Sequence, residues 1–132
     1  MTGFLLKFCL SVLLIAGCTQ ATEPETVNLT GEWNWIQSTG GFAGQSLTPE
    51  SENITRKFIF EGNREFKLYQ NGEVIRSGTF SLIDIRQGNT TLPGIEFEDS
   101  QIQSIIEEAG DTLIFRENCA DCFMHWYEKG SK

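Results

Sequence analysis

The stretch EFKLYQNGEVIRSGTFSL, Glu65 to Leu82, decides the fold. On its first arm Phe66 and Leu68 alternate with Glu65 and Lys67; on its second, Phe80 and Leu82 flank Ser81. Period-two alternation places one apolar and one wet face on an extended chain. Between the arms stands Asn71-Gly72, and a two-residue hairpin turn requires positive φ at both central positions, which Asn and Gly adopt most readily. Strands over 64–70 and 73–83 are therefore expected to pair antiparallel.

The same pattern extends in both directions. Trp33 and Trp35, Phe58 and Phe60, Ile95 and Phe97, and Leu113 and Phe115 each share a face, with Lys57, Glu96 and Thr112 on the other. Strands are expected over 31–38, 54–61, 93–98, 101–107, 111–117 and 123–128, punctuated by Glu61-Gly62-Asn63-Arg64, Gln87-Gly88-Asn89 and Ala109-Gly110. Ile102, Ile105 and Ile106 break the alternation and fit one helical turn as well as a strand. No segment sustains a helical period. The expected class is all-β, an antiparallel up-and-down barrel of about eight strands that leaves no exposed edge, with a sandwich as the competitor.

The chain has 132 residues, 39% of them hydrophobic and 21% charged, which suits one folded domain. Residues 1–17 carry one charged side chain, Lys7, and the apolar run 8–16 is too short to span a bilayer; it fits the core of a secretory signal peptide. Without Lys7, nine Lys and Arg face eighteen Asp and Glu, a net charge of −9 on residues 18–132. That balance argues against nucleic acid or an anionic membrane surface as a partner. Residues 18–27 are polar, contain Pro24 and read as a flexible tether before a domain over 28–132.

Two resemblances add to this reading. Ile15-Ala16-Gly17-Cys18 resembles the lipobox of bacterial lipoproteins. This implies that Cys18 becomes the first mature residue, carries diacylglycerol and an N-acyl chain such as palmitate, and anchors the protein to the outer membrane. Two or more acyl chains give stable anchoring. The alternative is a soluble secreted protein cut nearby, with Cys18 free or disulfide-bonded. Further on, Gly31-Glu32-Trp33, Gly40-Gly41, Thr48-Pro49, Asn71-Gly72, Ser77-Gly78-Thr79-Phe80 and Cys119-Ala120-Asp121 together resemble the small lipocalin-like lipoproteins of Bacteroidota. That resemblance implies that Trp33 closes one end of the barrel, with Arg116 over it.

An eight-stranded barrel is either filled by its side chains or holds one small ligand. The inward set Trp33, Trp35, Phe58, Phe60, Phe66, Phe80, Phe97 and Phe115 would line a site for a small apolar or amphipathic molecule, or pack solid. With a solid barrel, loops 39–53 and 84–93 would serve a protein-interaction, inhibitor or structural envelope role. Trp33, Trp35, Trp126 and Tyr127 could form an aromatic platform or simply close the barrel, and Phe42 in Gly40-Gly41-Phe42-Ala43-Gly44 could be a lid or a tucked anchor.

Cys119-Ala120-Asp121-Cys122 allows three readings. A redox dithiol wants a following helix, and a zinc site with His125 lacks a fourth ligand. A disulfide suits an oxidising compartment. Three extended steps span about 10 Å whereas disulfide Cα atoms lie within about 7 Å, so a bond requires a turn at Ala120-Asp121. His125, the only histidine, reads as a packed or surface residue. Glu96, Glu98 and Asp99, and Glu107 with Glu108, read as a solvated rim. No nucleophile and base constellation is visible, so neither an enzyme, a cofactor nor a metal is expected.

Overall fold

The computed structural model describes residues 27–131, so Cys9, Cys18, the expected signal peptide and nearly all of the expected tether lie outside the described residues. The elements in chain order are β1 (Gly31–Gly40), β2 (Gln45–Leu47), α1 (Pro49–Glu52), β3 (Arg56–Phe60), β4 (Glu65–Gln70), β5 (Glu73–Gln87), β6 (Thr90–Phe97), β7 (Gln103–Ala109), β8 (Thr112–Glu117) and β9 (Phe123–Lys129). All pairings are antiparallel, in the order β2-β1-β3-β4-β5-β6-β7-β8-β9, and β1 also pairs with β9. That last ladder closes eight strands into an up-and-down barrel, with β2 as an extra strand on the end of β1.

The hairpin that decides the fold forms as expected. Gln70 pairs with Glu73 across Asn71 and Gly72, whose φ angles are 50° and 83°. The Asn71 side chain also accepts a hydrogen bond from the backbone of Thr55, which ties the turn to the chain entering β3. Alternation then sets the interior. All six phenylalanines expected inside are buried, together with Trp33, Trp35, Leu68, Ile95, Ile106, Leu113 and Tyr127. Phe58 stacks on Phe97 with ring centroids 5.6 Å apart, and Phe60 meets Phe80 edge-on at 5.1 Å. Such pairs add about 0.5–1.5 kcal/mol each beyond their area burial. Val27 packs against this core from outside the expected domain start, and Leu29 is part of it.

Three departures have physical causes. The segment 84–93 is the tip of a long β5–β6 hairpin and not a loop. Pro93 has no N–H to donate, and β6 pairs with β7 only from Gly94 to Glu96, so the tip leaves the wall there. It reaches the Cys119 region, where Gln87 Nε2 donates to Asn118 Oδ1. Gly94 is required at this bend because a Cβ there would collide with the Ile85 side chain. The broken alternation of β7 follows: Ile106 faces the core, while Ile105 is buried on the opposite face, where Ile85 lies over Gly94, its cross-strand partner. The helical-turn alternative for this segment is set aside. The third departure is β2 and α1. Thr48 caps α1 with a reciprocal Thr48–Ser51 box and Pro49 in its first turn.

Candidate functional site

Register divides the barrel into two ends. At the first, the Val27–Thr30 segment leading into β1 packs Val27 and Leu29 against the core, and Trp33 Nε1 donates to the Leu29 carbonyl at 2.8 Å. Lys129 Nζ lies 5.5 Å from the Trp33 ring centroid. The expectation that Arg116 covers Trp33 is corrected: Arg116 is next to inward Phe115, so its side chain points outward and pairs with Glu107 at 3.0 Å. Trp33, Phe60, Phe66, Ile95 and Leu113 pack this end closed. A hollow of about 300 Å³ borders it at Asn28, Arg64 and Phe80.

The opposite end is open. A cavity of about 360 Å³ has Phe58, Phe97, Phe115 and Leu68 at its base and Ile75 and Ile102 at its rim. Arg56, Arg76, Ser104, Glu117, His125 and Tyr127 supply its polar wall. Of the eight aromatic residues expected to line a site, only Phe58, Phe97 and Phe115 border this cavity. Trp33, Trp35, Phe60 and Phe66 fill the barrel, and Phe80 belongs to the other end. The aromatic platform is not assembled either, since Trp126 lies on the face opposite Tyr127.

The polar wall is built by strand register. A bulge in β1 between Trp35 and Gln37 turns Ser38 inward opposite His125. Ser38, 2% exposed, accepts from Trp35 Nε1 at 2.8 Å and lies 2.6 Å from His125 Nδ1. The Glu117 carboxylate can only accept, so Nε2–H donates to its Oε1 at 3.1 Å, and in the neutral ring Nδ1 then accepts from the Ser38 hydroxyl. Glu117 Oε2 accepts from the backbone of Phe123. The trio has the composition of an acyl-transfer relay, but Ser38 does not border the cavity and its oxygen is already engaged twice. What it does is brace β1, β8 and β9 around the mouth.

Two guanidiniums stand near Tyr127. Arg56 donates through Nε to Gln70 at 3.0 Å and lies 5.2 Å from the Trp35 ring; its Nη groups have no acceptor among the described residues. Arg76 makes a two-point pair with Asp99 at 2.8 and 2.6 Å and stacks over Phe66 and Phe97. This hydrogen bonding raises the Arg76 pKa and lowers that of Asp99. Burial pushes the Tyr127 hydroxyl far up and outweighs the opposing pull of Arg56 and Arg76, so it is a neutral hydroxyl at ordinary pH. It makes no hydrogen bond among the described residues and faces the cavity, where solvent can reach its oxygen, since no buried polar side-chain atom among those residues lacks a partner.

Cys119 and Cys122 are disulfide-bonded with Cα atoms 5.5 Å apart, and the turn this demands forms through Asp121 at φ 56°. Glu117 Oε lies within 4.8 Å of both sulfurs. It is the fourth group that the Cys-x-x-Cys-x-x-His spacing lacked, but bonded sulfurs are not thiolate ligands. Phe42 is 95% exposed at the β1–β2 turn, which rules out the tucked anchor.

Arg56, Arg76, Ser38 and Glu117 were not singled out from the sequence. Parity held the signal for the arginines: Arg56 precedes Phe58 by two residues, and Arg76 precedes Phe80 by four. The chain matches no protein-family model, and no curated protein or solved structure is similar enough to it to count as a match.

Proposed function

We propose that the protein is a non-enzymatic, membrane-anchored envelope lipoprotein whose barrel holds a small amphipathic molecule at its mouth. The observation that carries this reading is the mouth cavity, about 360 Å³ with an aromatic base and unpaired polar groups at its wall. That volume falls within the range of about 300–1,000 Å³ typical of ligand pockets. The lipobox-like Ile15-Ala16-Gly17-Cys18 supports a lipid anchor at Cys18, with the tether holding the barrel off the outer membrane.

Native mass spectrometry of the full chain purified from its own host tests the binding reading. A retained small mass is expected for the native protein and its loss for Ser104→Leu, which fills the cavity without removing any core side chain. The same mass on both proteins would sink the reading. For the anchor, Cys18→Ala should move the protein out of the membrane fraction; unchanged retention would refute it.

A second reading, a protein-interaction module, is favoured by one observation, the 95% exposure of Phe42 on the β1–β2 turn. A photocrosslinker at position 42 that captures a discrete partner in intact cells would support it. Capture of solvent alone would remove it.

A further inference from the structure

Resting on that reading of the mouth, we propose that the cavity is an anion-capture site whose ligand is a compact planar carboxylate, an aromatic acid in place of a long acyl chain. The hydrogen-bond inventory points there first. The Arg56 fork has its Nε committed to Gln70 and its Nη donors without an acceptor among the described residues. A guanidinium matches a carboxylate with two parallel N–H···O bonds, the strongest common form of charge-assisted pair. The Tyr127 hydroxyl, in a residue only 6% exposed, lacks a partner and faces the same space.

The competing anion at the mouth is already satisfied. Glu117 spends Oε1 on His125 and Oε2 on the Phe123 backbone N–H. Arg76 is neutralised by Asp99, which leaves Arg56 as the guanidinium in the cavity wall without a carboxylate partner among the described residues. At the Tyr127 hydroxyl the fields of Arg56 and Arg76 both exceed that of Glu117. A hydroxyl without a partner among the described residues, open to the cavity beside guanidinium donors that also lack an acceptor there, is well matched to a bound oxyanion. An overall acidic chain has no long-range attraction for anions, so it must recognise one by local contacts of this kind.

Packing sets the shape of the rest of the ligand. Phe58 and Phe97 are stacked with 9° between their planes and, held against each other, form a rigid aromatic base. Below it Phe60, Phe66 and Phe80 fill the barrel axis that a long chain would need. A ring fits against the base; the long acyl chain of palmitate has no channel.

The test is calorimetric titration of the full chain with four probes: 2-naphthoate, 2-naphthalenemethanol, 2-naphthylmethylamine and palmitate. The naphthoate is expected to bind roughly tenfold or more tightly than the alcohol of the same shape, as loss of one charge-assisted hydrogen bond implies. The amine and palmitate should be weaker still. Arg56→Gln should erase the preference for the carboxylate, and Tyr127→Phe should reduce it severalfold; thermal melts of both variants verify folding. Equal binding of acid and alcohol, or a preference that survives Arg56→Gln, would overturn the anion assignment. Tighter palmitate binding would overturn the shape assignment. If the alcohol binds as well as the acid and Ser104→Leu blocks both, the mouth pocket stands and only this inference falls. If no probe binds, or Ser104→Leu changes nothing, the pocket reading falls with it.

Discussion

The two ends of the barrel are made from the same alternating strands and differ in what occupies the inward positions. Toward the closed end those positions are Trp33, Phe60, Phe66, Phe80, Ile95 and Leu113, which meet across the axis and exclude solvent. Toward the mouth the same strands place Ser38, Arg56, Arg76, Ser104, Glu117 and His125 on the inward face. One half of the interior is a hydrophobic core. The other is a polar-walled cup standing on it. On the proposed reading, stability and recognition are separated along the barrel axis, and each can be altered with limited damage to the other.

The sharpest way to break this comparison is truncation on either side of the boundary. Phe60→Ala, in the closed half, should cost about 3–5 kcal/mol by denaturant unfolding, the range for a fully surrounded aromatic. Phe97→Ala should cost clearly less, because one side of Phe97 already borders the cavity. Equal losses would mean that the mouth is packed as tightly as the closed end.

Next in size is the brace. Ser38→Ala leaves Trp35 Nε1 and His125 Nδ1 without their partner, at an expected cost of about 1–3 kcal/mol. A cost under half a kcal/mol would show that water replaces the hydroxyl freely. The buried phenol gives a related effect at alkaline pH. Burial holds the Tyr127 proton in the folded state above about pH 10, where an unfolded tyrosine releases it. Its contribution is complete below that pH and is lost as pH rises further, at up to about 1.4 kcal/mol per unit. Tyr127→Phe should flatten the alkaline limb of the stability curve, and an unchanged slope would assign that limb to other groups.

The smallest effect is at the rim. The Asp99 carboxyl is held low by Arg76, so the pair contributes above about pH 4 and loses its contribution as pH falls through the lowered folded value. Both partners are about a third or more exposed, which limits the pair to roughly 0.2–1 kcal/mol. Asp99→Asn should remove that part of the acid sensitivity in urea titrations between about pH 2 and 5. A larger loss would mean that Asp99 also positions Arg76 for the fold.

How much of this was legible from residues alone follows the same division. The closed half was readable because a strand alternating Phe58, Phe60 or Leu113, Phe115 with polar neighbours has one way to bury its apolar face. The mouth was harder. Arg56 and Arg76 share the inward parity of Phe58 and Phe80, but a charged residue reads as wet, and only barrel closure creates an inward face that is also reachable by solvent. Ser38 and His125 are 87 residues apart. They meet through the β1–β9 register, after a bulge at Ile36 shifts Ser38 to the inner side, and neither the register nor the bulge has a local signal. Arg116 was misplaced although its parity beside Phe115 pointed outward; the family resemblance outweighed the pattern there. The disulfide was readable in part, since the span of three residues already demanded the turn that Asp121 makes.

The division of the barrel into a solid half and a proposed binding half is tested most directly by amide chemical-shift mapping of the full chain during titration with 2-naphthoate. Shifts are predicted at Arg56, Phe97, Ser104 and Tyr127, with Trp33, Ile95 and Leu113 unmoved. Shifts centred on the closed end, or spread over the outer face with the mouth silent, would contradict the account.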